Sequence, residues 1–377
     1  VYARTNGNPF FVTEIARLDS SDTAAIPDNV RIAISRSLKR LSTRTNEAFV
    51  VAAVIGRQFD FPLLRSALPQ VGEEALLQAL DEGLKALLVE PLPSRGGEWY
   101  QFRHALIRDA LYESISPSRR ARFHATIAQA LETLVGERID DRAAELARHS
   151  ACAGVLVSQT MLAKYSCMAG ERLLAVHAFE EAAVHFERAW QVRKVLPFDA
   201  AAATTLVGLG CAQAATAARW NRQQQWITLR RAIEYYLQAG DVSRAIAVAT
   251  DPHISAEGAT DVAATIRQIR ELTPRGSLED GRLLARLGAA EYFETGDYRV
   301  AQAAFAQALE ISAAERDAGL ELRTLAYANS VDHFDLRWLE VLAKSRRIRE
   351  LARCVDDPRS ETYARYRAAF ALMQTGQ

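Results

Sequence analysis

The chain has little cysteine, and the cysteines it has are scattered. Only four of its 377 residues are cysteines, with no Cys-x-x-Cys pair among Cys152, Cys167, Cys211 and Cys354. This spacing excludes the disulfide framework of a small secreted protein and the common zinc sites. We therefore expect four small core residues in a protein of the reducing cytoplasm.

The chain also lacks an excess of charge of either sign. Lys plus Arg and Asp plus Glu both number 46, so the formal net charge is zero. This balance excludes a global attraction to nucleic acid or to an anionic membrane, although it leaves room for a local basic patch. There is no apolar run of membrane-spanning length and no signal-peptide pattern. We expect a cytoplasmic protein with no membrane partner.

Motifs that carry catalysis are absent from the sequence as well. It contains no Gly-x-x-x-x-Gly-Lys-Ser/Thr phosphate loop, no His-Glu-x-x-His, no serine-centred elbow and no catalytic carboxylate pair. His177 and His185 are too far apart on a helix to share one metal. The chain is thus predicted to be no enzyme, to hold no metal and to carry no cofactor of its own.

Helical periodicity fills most of the chain. In the first 136 residues, apolar stripes and capping residues predict helices over 27–41, after Ser42, after Asp60, over 72–87, from His104 and after Pro117. One interruption, Leu87 to Phe102, holds two short apolar stretches around Ser94-Arg95-Gly96-Gly97, which is typical of a β-hairpin. Three helices followed by a hairpin is the order of a winged-helix domain.

A winged helix suggests DNA binding, but the charges of its third helix argue against it. In such folds the third helix usually enters the major groove. Residues 72–87 hold one basic residue, Lys85, against four acidic ones: Glu73, Glu74, Asp81 and Glu82. Phosphates would repel this helix, so we expect no direct DNA binding by the chain.

Two basic segments leave alternatives open. Arg119, Arg120 and Arg122 begin the helix after Pro117, where positive charge opposes the helix dipole. They fit either a solvated helix face or a site with a partner carboxylate or phosphate. Residues 344–353 are also basic, but Glu340 and Glu350 interrupt them, which favours a solvated surface.

From about residue 140 onward the chain repeats itself. Residues 169–189 and 288–308 align without a gap, which pairs Phe179 with Tyr298 and Ala182 with Ala301. A weaker copy holds Gly240-Asp241, and the last residues match the first helix of another copy up to Gly376. The pattern resembles the tetratricopeptide repeat, a helix pair in which small residues allow close approach. We expect a right-handed superhelix over 137–377 that stops within a repeat, with Ala182, Phe186, Ala301 and Phe305 buried.

The first residues predict one short amphipathic helix, which cannot bury a core alone. A Gly-Asn-Pro turn at positions 7–9 precedes Phe10, Phe11, Ile15 and Leu18 at helical spacing. Either this helix packs on later residues of the chain, or its partner belongs to sequence upstream of Val1.

Four segments together resemble one known class of protein. "TNGNPFFVTEIARL", "IPDNVRIAISRSLKRLS", "AAVIGRQFDFPLL" and "FRHALIRDALYESISPSRRARFHATIAQALE" resemble the region after the nucleotide-binding core of STAND-type ATPases, notably large ATP-dependent LuxR-type regulators. The resemblance implies three parts: residues 1–26 as the end of a helical lid, 27–136 as a winged helix, and 137–377 as a repeat sensor. The fold class is then all-α apart from one β-hairpin wing.

The resemblance also implies nucleotide-contacting residues. Gly7, Asn8 and Pro9 match a turn that lies against adenine, and His104 matches a histidine that reaches the ADP β-phosphate in the resting state. Ala105 stands where the related eukaryotic motif has an acidic residue. The same residues also fit plainer roles: a turn that opens a helix, and a buried histidine that caps or bridges the start of one. ATP or ADP would belong to a preceding nucleotide-binding domain.

By this resemblance the chain is the regulatory and sensor portion of an ATP-dependent transcriptional regulator. Its repeat array would bind an inducer or a protein partner. Two other functions fit the sequence: a sensor segment of an ATPase-linked adenylate cyclase or kinase, and a free-standing repeat scaffold.

Overall fold

The computed structural model describes residues 38, 40–93, 98–135, 141–216, 222–252, 254 and 257–376. The predicted lid residues 1–26 and most of the predicted helix over 27–41 lie outside this part. Contacts divide the chain into two compact units, and the division falls between Ala169 and Gly170.

The first unit is helical around a small sheet. Its helices are α1 (Thr43–Ile55), α2 (Phe61–Ala67), α3 (Glu73–Lys85), α4 (Ala105–Glu113), α5 (Pro117–Val135) and α6 (Ala143–Ala153). A 3₁₀ turn (Gly154–Leu156) precedes α7 (Gln159–Ala175), the helix that contains the division. The strands are β1 (Gln58–Asp60), β2 (Val89–Pro91) and β3 (Trp99–Phe102).

Polar side chains begin the helices at the positions that the sequence predicts. The Ser42 hydroxyl accepts from the Thr45 amide at the start of α1. The Asp60 carboxylate accepts from the Leu63 amide at 2.8 Å at the start of α2. Each cap satisfies an amide that the first helical turn leaves without a carbonyl partner.

The predicted hairpin has a third strand beside it. The sheet order is β1-β3-β2, all antiparallel, so β3 is central, with Phe59 opposite Tyr100 and Val89 opposite Phe102. The turn residues 94–97 lie outside the described residues. The strand β1 has no counterpart among the predicted elements, because three residues are too few to establish an alternating pattern.

Aromatic side chains connect the sheet to α1 in one core. The rings of Phe49 and Phe102 meet edge to face at 6.2 Å, and Phe59 lies 5.7 Å from Phe102. Leu146 of α6 and Tyr165 of α7 belong to the same core. The first compact unit therefore continues past residue 136, where the sequence suggested a domain boundary, because these later helices supply part of its apolar interior.

The second unit is a succession of helices. They are α8 (Phe179–Arg193), α9 (Ala200–Thr216), α10 (Arg222–Gln238), α11 (Val242–Ala249), α12 (Val262–Glu271), α13 (Leu278–Thr295), α14 (Tyr298–Glu315), α15 (Ala318–Phe334), α16 (Trp338–Cys354) and α17 (Pro358–Thr375). Each helix from α8 onward packs on the next one in the chain, and α15 also packs on both α13 and α17.

The predicted repeat packing is confirmed. The side chains named from the alignment are all fully or almost fully buried: Ala182, Phe186, Ala301 and Phe305. A Cβ added at Gly288 would lie 2.6 Å from the Phe305 ring and 2.9 Å from the Ala301 carbonyl. Small residues therefore permit the close helix approach, and the aromatic rings fill the space beside them.

Left-handed residues occur in the turns of several described helix pairs. Gly296 ends α13 with φ 75°, and Asp297 then caps α14 through its carboxylate. His177 and Leu336 occupy matching turns with φ 61° and 59°. Glycine adopts this conformation without strain, whereas other residues adopt it at a cost. Because His177 and Leu336 nevertheless occupy two of these turns, glycine marks only some of the repeats in the sequence.

The fold is thus all-α apart from the small sheet: a winged-helix unit followed in the chain by an array of tetratricopeptide-like helix pairs. Among the described helices, none is long and apolar enough to cross a membrane.

Candidate functional site

His104 stands at the junction between the wing and the next helix. It is the N-cap residue of α4, with extended backbone angles, and its carbonyl accepts from the Ile107 amide at 3.0 Å. Its side chain is half-buried and makes no capping hydrogen bond to the helix. The first helical turn after it carries no acidic residue. The imidazole is therefore not used as a helix cap, whereas a bridging role at the start of the helix stays open.

The second predicted contact, the turn Gly7-Asn8-Pro9, lies outside the described residues. Its distance from His104 is not defined, so the predicted pairing of the two around a nucleotide stays a prediction.

One acidic residue of α3, Glu82, accepts hydrogen bonds that hold the start of α1. The Glu82 carboxylate accepts from the Ser42 amide at 2.9 Å and from the Thr45 hydroxyl, at the start of α1. The hydrogen bond from Thr45, followed by that from Ser42, lowers the pKa of Glu82. Glu73 pairs with Arg65 at 2.8 Å on an exposed surface. In DNA-binding winged-helix domains the helix equivalent to α3 contacts the DNA, and in this chain that helix carries carboxylates.

Two of the three arginines near the start of α5 have partners within this unit. Arg120 donates to the Ile115 carbonyl at 3.1 Å and lies 4.3 Å from the centre of the Tyr112 ring. Arg119 lies over Phe123 at 5.4 Å. Arg119 and Arg122 line an open hollow with Ser116 and Ser118. The two alternatives for this helix start, a solvated face and a carboxylate or phosphate partner, both stay open.

A buried chain of polar side chains connects α4, α5 and α6. The Tyr112 hydroxyl lies 3.0 Å from His124 Nε2, and His124 Nδ1 lies 2.8 Å from His149 Nδ1. Arg148 Nη2 lies 2.7 Å from His149 Nε2. Both histidines are 1% exposed or less.

The arginine determines which nitrogens carry protons. A guanidinium only donates, so His149 Nε2 must accept and His149 Nδ1 must carry the hydrogen. That hydrogen is donated to His124 Nδ1, which leaves His124 Nε2 to donate to the Tyr112 oxygen. Both imidazoles are neutral in this arrangement. Burial, then the charge of Arg148, lowers the pKa of His124 to about 4 and that of His149 to about 2.

The same arginine holds the end of α1. Arg148 donates to the Ile55 carbonyl at 2.6 Å, and Arg108 of α4 donates to the Ala53 carbonyl at 3.0 Å. The last carbonyls of a helix have no partner within it, so two arginines complete its hydrogen bonding. The histidine chain is thereby connected to the first helix of the winged-helix unit.

In the repeat array, α8, α9 and α10 line a small, partly open pocket of about 240 Å³. Trp190, Leu206 and Leu209 supply apolar walls, and Gln213 and Gln224 supply amides. Arg231 lies over the Trp190 ring at 5.3 Å at the same pocket. The residue types suit a small molecule with an apolar part and a few polar groups.

The basic segment over 344–353 is not only a solvated surface. Lys344 forms an ion pair with Asp332, which is fully buried, and the Tyr298 hydroxyl donates to the same carboxylate at 2.8 Å. Arg347 pairs with Glu321 at 2.8 Å on the outside. Lys344 therefore belongs to the packing between α14, α15 and α16, whereas Arg347 lies on the surface.

Two buried histidines and one buried arginine were not predicted from the sequence. His124 and His149 lie on separate helices 25 positions apart, so no spacing rule relates them. Arg286 is fully buried in α13. A signal for it exists, because it is the single basic residue in the run "LLARLGAA".

The cysteines differ from the expectation. Cys152 and Cys354 are exposed, whereas Cys167 and Cys211 are partly buried, and all four are free thiols. The prediction of four buried core residues is wrong for the exposed pair, because Cys152 is near the end of α6 and Cys354 is the last residue of α16. Across the described ranges no cluster of His, Cys, Asp or Glu could hold a metal ion.

Comparisons with known proteins add a limited resemblance. No protein-family model matches the chain. It is similar to an uncharacterized protein of Rhizobium meliloti, with 28% identity over 166 residues that cover 40% of this chain and 16% of that protein. It is also similar to the crystal structure of a Signal Transduction ATPase with Numerous Domains (STAND) protein with a tetratricopeptide repeat sensor from Pyrococcus horikoshii. That likeness has a TM-score of 0.38 and 13% identity, and it covers 99% of this chain and 59% of the other.

The matched parts therefore span less than two thirds of the length of both proteins. A TM-score this low defines no residue correspondence, so the roles of individual residues depend on the geometry of this chain.

Proposed function

We propose that the chain is the regulatory and sensor portion of a multidomain ATP-dependent signal-transduction regulator of the STAND type, of the LuxR-type transcriptional branch. The observation that carries the proposal is the position of His104. It lies directly after the wing, at the start of a helix. An array of tetratricopeptide-like helix pairs comes after it in the same chain.

In this proposal the winged-helix unit relays the state of the nucleotide. A half-buried imidazole at this junction can donate an N–H to a phosphate oxygen of ADP held by a preceding nucleotide-binding domain. The turn Gly7-Asn8-Pro9 would place backbone against the adenine. ATP binding and hydrolysis belong to that other domain, because this sequence has no phosphate loop.

The repeat array would bind the inducer or a protein partner, in the cytoplasm. Its pocket between α8, α9 and α10 supports a role in binding a small molecule. DNA contact would be made elsewhere in the regulator, since α3 carries Glu73 and Glu74 in its first turn.

The test is the exchange of His104 in the full-length protein. One hydrogen bond to a charged phosphate contributes roughly 1.5–3 kcal/mol. His104→Ala should therefore release ADP about ten-fold or more faster and raise signalling without inducer. His104→Gln, which keeps a donor, should retain more ADP than His104→Ala.

Two results would contradict the proposal. One is a His104→Ala protein that keeps ADP as long as the parent does. The other is micromolar binding of ATP by the 377-residue chain alone in calorimetry, since that would place the nucleotide site within this chain.

A further inference from the structure

One charged side chain in the repeat array is completely buried. Arg286 lies in the middle of α13, is 0% exposed and is among the largest fully buried side chains of the chain. Its neighbours Leu283 and Ala290, about one turn away on either side, are also fully buried and apolar. The guanidinium is thus removed from solvent.

None of its nitrogens has a hydrogen-bond acceptor among the described residues. Nε, Nη1 and Nη2 are all buried and unbonded. A guanidinium carries five N–H donors and keeps its charge in proteins. Another arginine of the same unit has its partner, because Arg270 donates to the buried Asp280 at 2.7 Å. A charge buried without an acceptor is costly, so a position of this kind calls for a specific explanation.

A tyrosine covers the guanidinium. The Arg286 carbon Cζ lies 5.8 Å from the centre of the Tyr327 ring, which belongs to α15. The Tyr327 hydroxyl is likewise buried with no hydrogen-bond partner in the described part of the chain, although the residue as a whole is half-buried. Two groups that can donate hydrogen bonds therefore lie together, and the residue that covers the arginine also reaches the surface.

A second arginine lies on the next helix pair. Arg367 of α17 donates to the Ala326 carbonyl at 3.4 Å and to the Ser330 hydroxyl at 2.8 Å. Ala326 is the chain neighbour of Tyr327, so α15 is contacted by two guanidinium groups within one turn. Negative charge brought to this part of α15 would meet positive charge from α13 and from α17.

We propose that Arg286 is the recognition residue of an oxyanion site in the repeat array, covered by Tyr327 when empty. The ligand is a small molecule that carries a carboxylate or a phosphate group. An anion that displaces the tyrosine ring gains the bidentate hydrogen bonds that the guanidinium lacks. Complete burial favours a small ligand over a protein surface, because a protein would have to insert a side chain into the array. The inference rests on the proposed sensor role of the array.

The test uses thermal unfolding of the 377-residue chain at constant ionic strength. The probes are inorganic phosphate and succinate, with sodium chloride as the reference. A ligand that binds only the folded chain should raise the unfolding temperature by about 2 °C or more at ten times its dissociation constant. We expect such a rise for at least one probe. The probe that causes the larger rise identifies the ligand group as a phosphate or a carboxylate.

Substitutions assign the effect to the site. Arg286→Met should abolish the rise and should leave the ligand-free chain at least as stable, because it removes an unpaired buried charge. Arg282→Met, one turn earlier on the same helix, is the matched control and should keep the rise. If Arg286→Met does not fold, Arg286→Lys should weaken binding at least ten-fold, since lysine cannot form the bidentate pair. Tyr327→Ala should speed association.

Three results would overturn the inference. The first is an unchanged unfolding temperature with both probes. The second is a rise of equal size in Arg286→Met or Arg286→Lys, which would indicate association with surface charge. The third is an association rate that Tyr327→Ala leaves unaltered. These measurements need no nucleotide. They can therefore contradict the oxyanion site while the ADP test supports the proposed function, and they can support the site while the ADP test contradicts that function.

Discussion

At the scale of single residues, the buried histidines give the first unit a defined response to pH. His124 and His149 are neutral in the folded chain because Arg148 occupies the last acceptor position and burial disfavours another charge. An unfolded chain would bind protons at both imidazoles near their ordinary pKa of about 6.5.

The sign of the pH effect comes from this difference. Because folding lowers both pKa values, the stability that depends on neutral imidazoles is fully present above pH 6.5. It is lost as the pH falls toward the folded values of about 4 and about 2. We expect a loss on the order of 2–4 kcal/mol in the free energy of unfolding between pH 7 and pH 5.

Urea unfolding at the two pH values measures this loss. The variant His149→Gln should show a smaller difference between pH 7 and pH 5, whatever its absolute stability. An equal difference in both proteins would mean that the histidine pair is not responsible. In NMR, the imidazole signals of the parent should show no titration for these two histidines between pH 8 and pH 5.

At the scale of secondary-structure elements, the close contact of α13 with α14 depends on small side chains. Ala301 is fully buried and its carbonyl lies near Gly288. Ala301→Arg would place a charge where the two helices touch and should cost about 3–5 kcal/mol. Ala313→Arg on the exposed side of α14 is the matched control and should change stability by less than about 0.5 kcal/mol. The melting temperature of the two variants measures the difference, and equal temperatures would mean that the repeat register is wrong.

At the scale of the whole molecule, charge balance sets the expected behaviour toward nucleic acid. The formal net charge is zero, and the helix in the DNA-reading position is acidic. We expect no salt-sensitive, submicromolar binding of duplex DNA in a gel-shift assay of the chain. Binding of that strength, lost in Arg95→Ala, would show that the wing contacts phosphates.

Much of the architecture could be predicted from sequence pattern. Ser42 was identified as a cap, and a helix was predicted directly after Asp60, because a polar residue before an apolar stripe acts on its close neighbours in the chain. The aligned copies predicted burial of Phe186 and Phe305, because repeat packing depends on residues a fixed distance apart. The predicted nucleotide contacts came from the family resemblance alone. Of these residues, only His104 belongs to the part of the chain that the structure describes.

Other features were decided by tertiary structure alone. The strand β1 exists because β3 offers it a partner, since three residues in isolation form no strand. The histidine chain depends on α4, α5 and α6 meeting, and the unpaired state of Arg286 depends on which acceptors the described neighbouring helices fail to supply. Sequence by itself determined helices, caps and repeat register, because these depend on neighbours within a few turns. Burial, proton positions and the partners of charged groups were left to the fold, because they depend on residues that only long-range packing brings together.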